Sequence, residues 1–179
     1  ILTSKPTLFA CNVKEDELGA LGKGGRSGKT GEQVQKVEEY CRTHLSSKSV
    51  IVSAQIESEL VDLPEQEGRD YLASLGVAES GVGSLIRAAY DLLGLRTYLT
   101  TGPKETRAWT IHAGDKAPQA AGVIHSDFER GFIAAETVAF ADLQAVGTMQ
   151  KVKEAGKLRV EGKEYVVADG DVMDFRFNV

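Results

Sequence analysis

The stretch GKGGRSGKT, residues 22–30, carries the residue types of a phosphate-binding loop: closely spaced glycines, then Gly-Lys-Thr. Such a loop grips phosphate because successive backbone N–H groups curl around it, and the geometry needs Gly, four residues, then Gly-Lys-Ser/Thr. Counting back from Gly28-Lys29-Thr30, the first glycine belongs at position 23, which is Lys, and Gly22 and Gly24 each miss by one. The loop should also leave a buried strand directly, whereas KEDELGALGK separates it from the preceding apolar run. Residues 19–31 therefore read as a glycine-rich surface loop. A working phosphate loop here would make the chain a stand-alone kinase dependent on Lys29.

A second constellation is NVKE at residues 12–15, directly after the strand-like run PTLFACNV, with SAQ at residues 53–55 closing the run SVIVSA. Loops after two consecutive strands are where G-type nucleotide hydrolases read the base. Their usual motif is Asn-Lys-x-Asp: the carboxylate accepts two hydrogen bonds from the guanine edge and the Lys stem covers the ring. Here Val13 stands in place of that Lys and Glu15 in place of that Asp. Adenine offers an N6 donor beside an N1 acceptor, so a carboxylate matched to paired donors loses a partner. The substitution points away from GTP and towards ATP. On its own the match is short, and Asn12 equally suits a strand-end turn.

Elements must hold these loops in place. PTLFACNV and SVIVSA have the unbroken apolar character of strands buried on both faces. Val34, Val37 and Cys41 fall at helical spacing in residues 32–44. Asp62-Leu63-Pro64-Glu65 starts a helix over EQEGRDYLASLG, and SGVGSLIRAAYDLLGL is a further amphipathic helix. This is the grammar of an α/β domain. Beyond Leu95 the pattern changes to short strands, RTYLTT, RAWTIH, AETVAF, EYVVA and VMDFRF, with a helix over about residues 121–130. A boundary near Leu95 divides the chain into 1–95 and 96–179.

At 179 residues, 42% apolar and 26% charged, the chain can bury a core. The net charge of −5 argues against a general nucleic-acid-coating protein. Cys11 and Cys41 are the only cysteines, so no disulfide framework is implied and a reducing cytoplasm is expected. No apolar run is long enough to span a membrane. The chain opens without Met, in what reads as a central strand, as expected of the C-terminal part of something longer.

Three further strings carry more weight: RTYLTTGPKETRAWTI, KAPQAAGVIHSDFERGFIAAETVAF and KEAGKLRVEGKEYVVADGDVMDFRFNV. Together with Asn12 and Glu15 they resemble the C-terminal half of the YchF/Obg-like ATPase family, over nearly the whole chain. The resemblance implies the C-terminal part of a P-loop G-type nucleotide-binding domain over 1–95. It implies an α+β β-grasp (ubiquitin-like) TGS domain over 96–179. The family's base motif is Asn-x-x-Glu, which implies a hydrolase preferring ATP to GTP, with Mg as the phosphate-bridging ion. Asn12 would then hydrogen-bond adenine and Val13 pack on it, with Glu15, Ser53, Ala54 and Gln55 framing the base. Phosphate- and metal-binding segments would lie upstream, so this chain alone is expected to bind no ATP or Mg, to hold no catalytic or metal residue, and to be inactive. A ribosome or RNA partner through the TGS domain is implied, with neither membrane nor DNA.

For RNA contact the candidates are Lys151, Lys153, Lys157, Arg159 and Lys163, which would form one basic face at helical or hairpin spacing. Glu154, Glu161 and Glu164 are interspersed among them, as on an ordinary solvated surface. His125, Asp127 and Arg130 lie close enough to suggest acid–base work, but no nucleophile motif accompanies them. Capping and pairing fit them better, with Phe128 and Phe132 in the core. Trp109 suits either a core or a stacking role. The alternative function is a non-enzymatic ribosome- or RNA-binding module.

Overall fold

The run FACN forms β1 (Phe9–Asn12) and SVIV forms β2 (Ser49–Val52), paired in parallel from Phe9 beside Ser49 to Asn12 beside Val52. A parallel pair needs a crossover of a dozen or more residues. Here it consists of α1 (Glu15–Gly22), α2 (Gly28–Tyr40) and a π-helical turn at Cys41–Leu45. After β2 come α3 (Ala54–Leu60), α4 (Glu65–Ser74) and α5 (Gly81–Leu93). These elements belong to a computed structural model that describes residues 5–45, 47–102 and 105–178. They make up the first of two units, which ends at Leu93, and the second begins at Gly94.

The expected loop over 19–31 is mostly helix. α1 runs to Gly22 and α2 starts at Gly28, so only five residues (23–27) connect them. Three acids in the first turn of α1 complement its positive N-terminal end. Leu18 and Leu21, three apart, anchor it in a core with Val13, Val34, Ile56 and Leu72. Gly19 is no loop residue: α1 lies so close to the backbone of Leu75 that a Cβ has no room. Arg26 secures the short connection, donating to Glu38 Oε1 at 2.5 Å and to the Leu21 carbonyl at 2.8 Å. At the far side of β2, a Cβ on Gly81 would lie 2.9 Å from Val52 Cα, so α5 rests directly on the strand.

The second unit is a five-stranded mixed sheet in the order β4-β3-β7-β5-β6. Its strands are β3 (Leu95–Thr101), β4 (Thr106–His112), β5 (Phe132–Ala139), β6 (Arg159–Glu161) and β7 (Asp171–Phe177). β3 and β7 run parallel and the other pairings are antiparallel. Strand alternation divides the side chains between two cores. Tyr98, Phe132, Met173 and Phe175 pack with Ala117, Ala120 and Ala121 of α6 (Ala117–Ile124). On the other face Leu99, Val138 and Val172 meet α8 (Phe140–Val146) and α9 (Met149–Glu154) through Leu143 and Val152.

The helix expected near 121–130 is two helices. α6 begins earlier, at Ala117, and α7 (Ser126–Arg130) follows a break at His125, whose backbone is extended. EYVVA, expected as a strand, makes one isolated bridge, Val166 to Lys116. Its backbone instead bonds the start of α6, with the Tyr165 carbonyl accepting from Ala117 N at 2.9 Å. β6, α8 and α9 were not expected, because each is too short for periodicity to register.

Candidate functional site

Because β1 and β2 are parallel and in register, the residues after both strands emerge together at the C-terminal edge of the sheet, the usual place for a ligand crevice. Asn12 is exposed there, and its Oδ1 accepts from the backbone N–H of Ala54 at 3.0 Å. Val13 N donates to the Val52 carbonyl at 2.9 Å. The two loops are thus tied together by one side-chain and one backbone bond. The Ala54 donor also fixes the amide orientation: Oδ1 faces the second loop, and Nδ2 is the group Asn12 has to offer a ligand.

Glu15, half-buried, opens α1, and its Oε1 accepts from the Tyr71 hydroxyl at 3.1 Å. The same hydroxyl donates to Glu59 Oε2 at 2.7 Å, while Gln55 Nε2 donates to Glu59 Oε1 at 3.4 Å. A chain of polar contacts therefore runs Gln55–Glu59–Tyr71–Glu15, joining the second loop back to the first. The bond to Glu59, then burial, then the bond to Glu15 push the Tyr71 phenol above its ordinary pKa. It remains a neutral donor at physiological pH.

Val13 is 8% exposed and packs into the first unit's core, so little of its surface is left to meet a base. What remains lines a cavity of about 240 Å³ beside Asn12, Thr30, Val34 and Val37. Ser53 precedes α3 without capping it, and its buried Oγ lacks a partner among the described residues. Ala54 and Gln55 are exposed and, rather than forming a turn, open α3. Sequence reasoning missed Glu59 and Tyr71. Glu59 lies one helical turn after Gln55 and was detectable only once α3 was known to exist, whereas Tyr71 comes from α4, with no local signal.

In the glycine-rich segment, Thr30 Oγ1 donates to Glu17 Oε1 at 2.7 Å. The Thr30 hydroxyl is thus engaged by a carboxylate of α1. The five candidate cations of the second unit come from α9, β6 and the segments after them, and two of them are engaged by acidic partners. Lys151 and Lys153 lie exposed on α9 and Lys163 in the turn after β6. Lys157 pairs with Asp142 at 2.5 Å. Arg159 pairs with Glu161 at 3.1 Å and Asp171 at 3.3 Å. Asp171, 2% exposed, also accepts from Tyr165 Oη at 2.7 Å and Ala168 N at 2.9 Å, so Arg159 completes an internal network.

His125 caps α7 by accepting from Asp127 N at 3.2 Å through Nδ1, and Asp127 pairs with Arg130. Phe132 is buried, and Phe128 stacks on Phe177 with ring centroids 3.8 Å apart. Trp109 packs against the core, its Nε1 donating to Thr100 Oγ1 at 2.9 Å, with the Arg107 guanidinium 4.1 Å over its ring. Among the described residues no three His, Cys, Asp or Glu side chains gather as a metal site, and no helix is long and apolar enough to cross a membrane.

Residues 95–178 match the family model YchF-GTPase_C, described as a protein of unknown function. The "Ribosome-binding ATPase YchF" of Bacillus subtilis is 54% identical over 179 residues, covering 100% of this chain and 47% of the relative. The protein of the same name from Escherichia coli O157:H7 is 46% identical, over 99% of this chain and 46% of its own length. "Obg-like ATPase 1" of Gallus gallus is 39% identical, over 98% and 42%. The chain thus spans about half the length of the curated relatives it matches. Among solved structures, the Schizosaccharomyces pombe YchF GTPase superposes with a TM-score of 0.78 at 32% identity, over 98% of this chain and 44% of that one.

Proposed function

The chain belongs to the YchF family, corresponding to the carboxy-terminal part of its members, and from that premise we propose that it is the base-recognising and partner-contacting portion of a ribosome-associated, Mg-dependent ATPase that prefers ATP to GTP. The observation that carries this reading is the joined pair of loops, in which Asn12 Oδ1 receives Ala54 N at 3.0 Å with Glu15 held nearby. With Oδ1 engaged, Asn12 turns a donor towards a purine acceptor, and Glu15 offers an acceptor to the N6 amine of adenine. Gln55 and Ala54 form the opposite rim. The relatives' names, which include both "ribosome-binding" and "ATPase", support the reading.

Phosphoryl transfer depends on positioning and charge stabilisation around the γ-phosphate, where Mg neutralises developing charge. Among the described residues no three His, Cys, Asp or Glu side chains gather to hold that ion. In this reading the phosphate loop and the metal ligands lie in the half of the relatives that this chain does not match. This chain alone then does not hydrolyse ATP. The second unit is read as a TGS domain of β-grasp type, supported by parallel β3 and β7 adjoining in the sheet and α6 packed across them.

The test is Asn12→Ala in protein at the full length of the relatives. ATP affinity should fall about tenfold, as expected for losing a hydrogen bond at a specificity site, with the thermal midpoint close to the parent's. Unchanged affinity would remove Asn12 from the site.

A further inference from the structure

Guanine and adenine differ at the edge a carboxylate would meet. Guanine presents two adjacent donors, and a carboxylate answers them with both oxygens in the plane of the base. Adenine presents one donor beside an acceptor, and a single oxygen suffices. Which of these Glu15 can do depends on how freely its carboxylate turns.

In this structure the carboxylate is anchored. Glu15 Oε1 accepts from the Tyr71 hydroxyl at 3.1 Å, sharing its one proton with Glu59 Oε2 at 2.7 Å. The Tyr71 ring packs against the core of the first unit, beside Leu72 on α4, so the hydroxyl cannot follow a ligand. Glu59 is steadied in turn by Gln55 at 3.4 Å. We propose that Tyr71 is a positioning residue that sets purine choice: by holding Oε1 it leaves Glu15 with Oε2 alone to face a base, which fits a one-donor edge and fails a two-donor edge. This rests on placing Glu15 at the base, as proposed above. The phenol has one proton for two carboxylates, so Glu59 competes with Glu15 for it. Weakening Glu59 as an acceptor tightens the hold on Glu15.

The experiment titrates ATP and GTP, as fluorescent analogues, into protein at the full length of the relatives. Tyr71→Phe keeps the ring and deletes the hydroxyl. The ATP-over-GTP preference should shrink by about tenfold, mainly through tighter GTP binding. Glu59→Gln should widen it. A role confined to folding would weaken both nucleotides alike and leave their ratio in place. Glu15→Gln separates the two levels of the reading. If it moves the ratio while Tyr71→Phe does not, the positioning role is overturned. If neither moves it, Glu15 does not face the base and the site assignment itself fails. Should Tyr71→Phe not fold, Glu59→Gln decides alone, and a preference that fails to widen counts against the proposal.

Discussion

Asp127 shows how a residue that looks catalytic is used by the fold. Its hydrogen bond from Arg130 holds the carboxyl below the ordinary range, with His125 adding to the effect. The sign follows from linkage. A depressed folded-state pKa stabilises fully above the unfolded value of about 4, and the contribution goes as pH falls through the lower folded value. Arg130→Ala should therefore raise the Asp127 pKa towards that of a free carboxylate, measurable by NMR titration. An unmoved pKa would mean the pair is not formed in solution. His125, accepting from Asp127 N through Nδ1, carries its proton on Nε2 in the neutral form and acts as a cap. The three residues 125, 127 and 130 were legible as a cluster, and their capping and pairing follow from one short helix.

At the scale of elements, the glycine-rich segment separates local preference from tertiary demand. Gly19 sits inside α1, where alanine would ordinarily stabilise a helix by about 1 kcal/mol. Here the backbone of Leu75 occupies the space a Cβ needs. Gly19→Ala should therefore destabilise the chain by about 1–3 kcal/mol through overpacking, read as a lower denaturation midpoint. A gain in stability would show that α1 and the end of α4 do not approach so closely. The strands β1 and β2 and the helices α4 and α5 were legible because each has an apolar run or stripe long enough to show its period. α3 was not: its seven residues begin in the site loop and bury only Ile56. Overlooking α3 hid Glu59 as well.

For the whole molecule, the pairing of cations with acidic groups matters more than their number. All five candidate cations are exposed, and Lys157 and Arg159 are engaged by acidic partners, which leaves Lys151, Lys153 and Lys163 as the ones to test. If the second unit contacts ribosomal RNA, replacing these three by Gln should weaken co-sedimentation with ribosomes and flatten its salt dependence. Arg159→Gln should mainly lower stability, since it leaves the buried Asp171 short of a partner. Equal binding by the triple variant and the parent would move the contact elsewhere on the surface.

The amino-acid sequence by itself determined the change of pattern near Leu95, the strands that carry the candidate site loops, the Asn12 and Glu15 pairing of residue types, and the failure of GKGGRSGKT to match phosphate-loop spacing. Each is written in residue identity and short-range order, which periodicity and spacing report directly. Only the tertiary structure decided that Asn12 is clamped by Ala54, that Val13 belongs to the core, and that Tyr71, 56 residues from Glu15, reaches its carboxylate. Those contacts depend on how a parallel strand pair and the helices around it pack. Packing joins residues distant in the chain through geometry that no local pattern encodes.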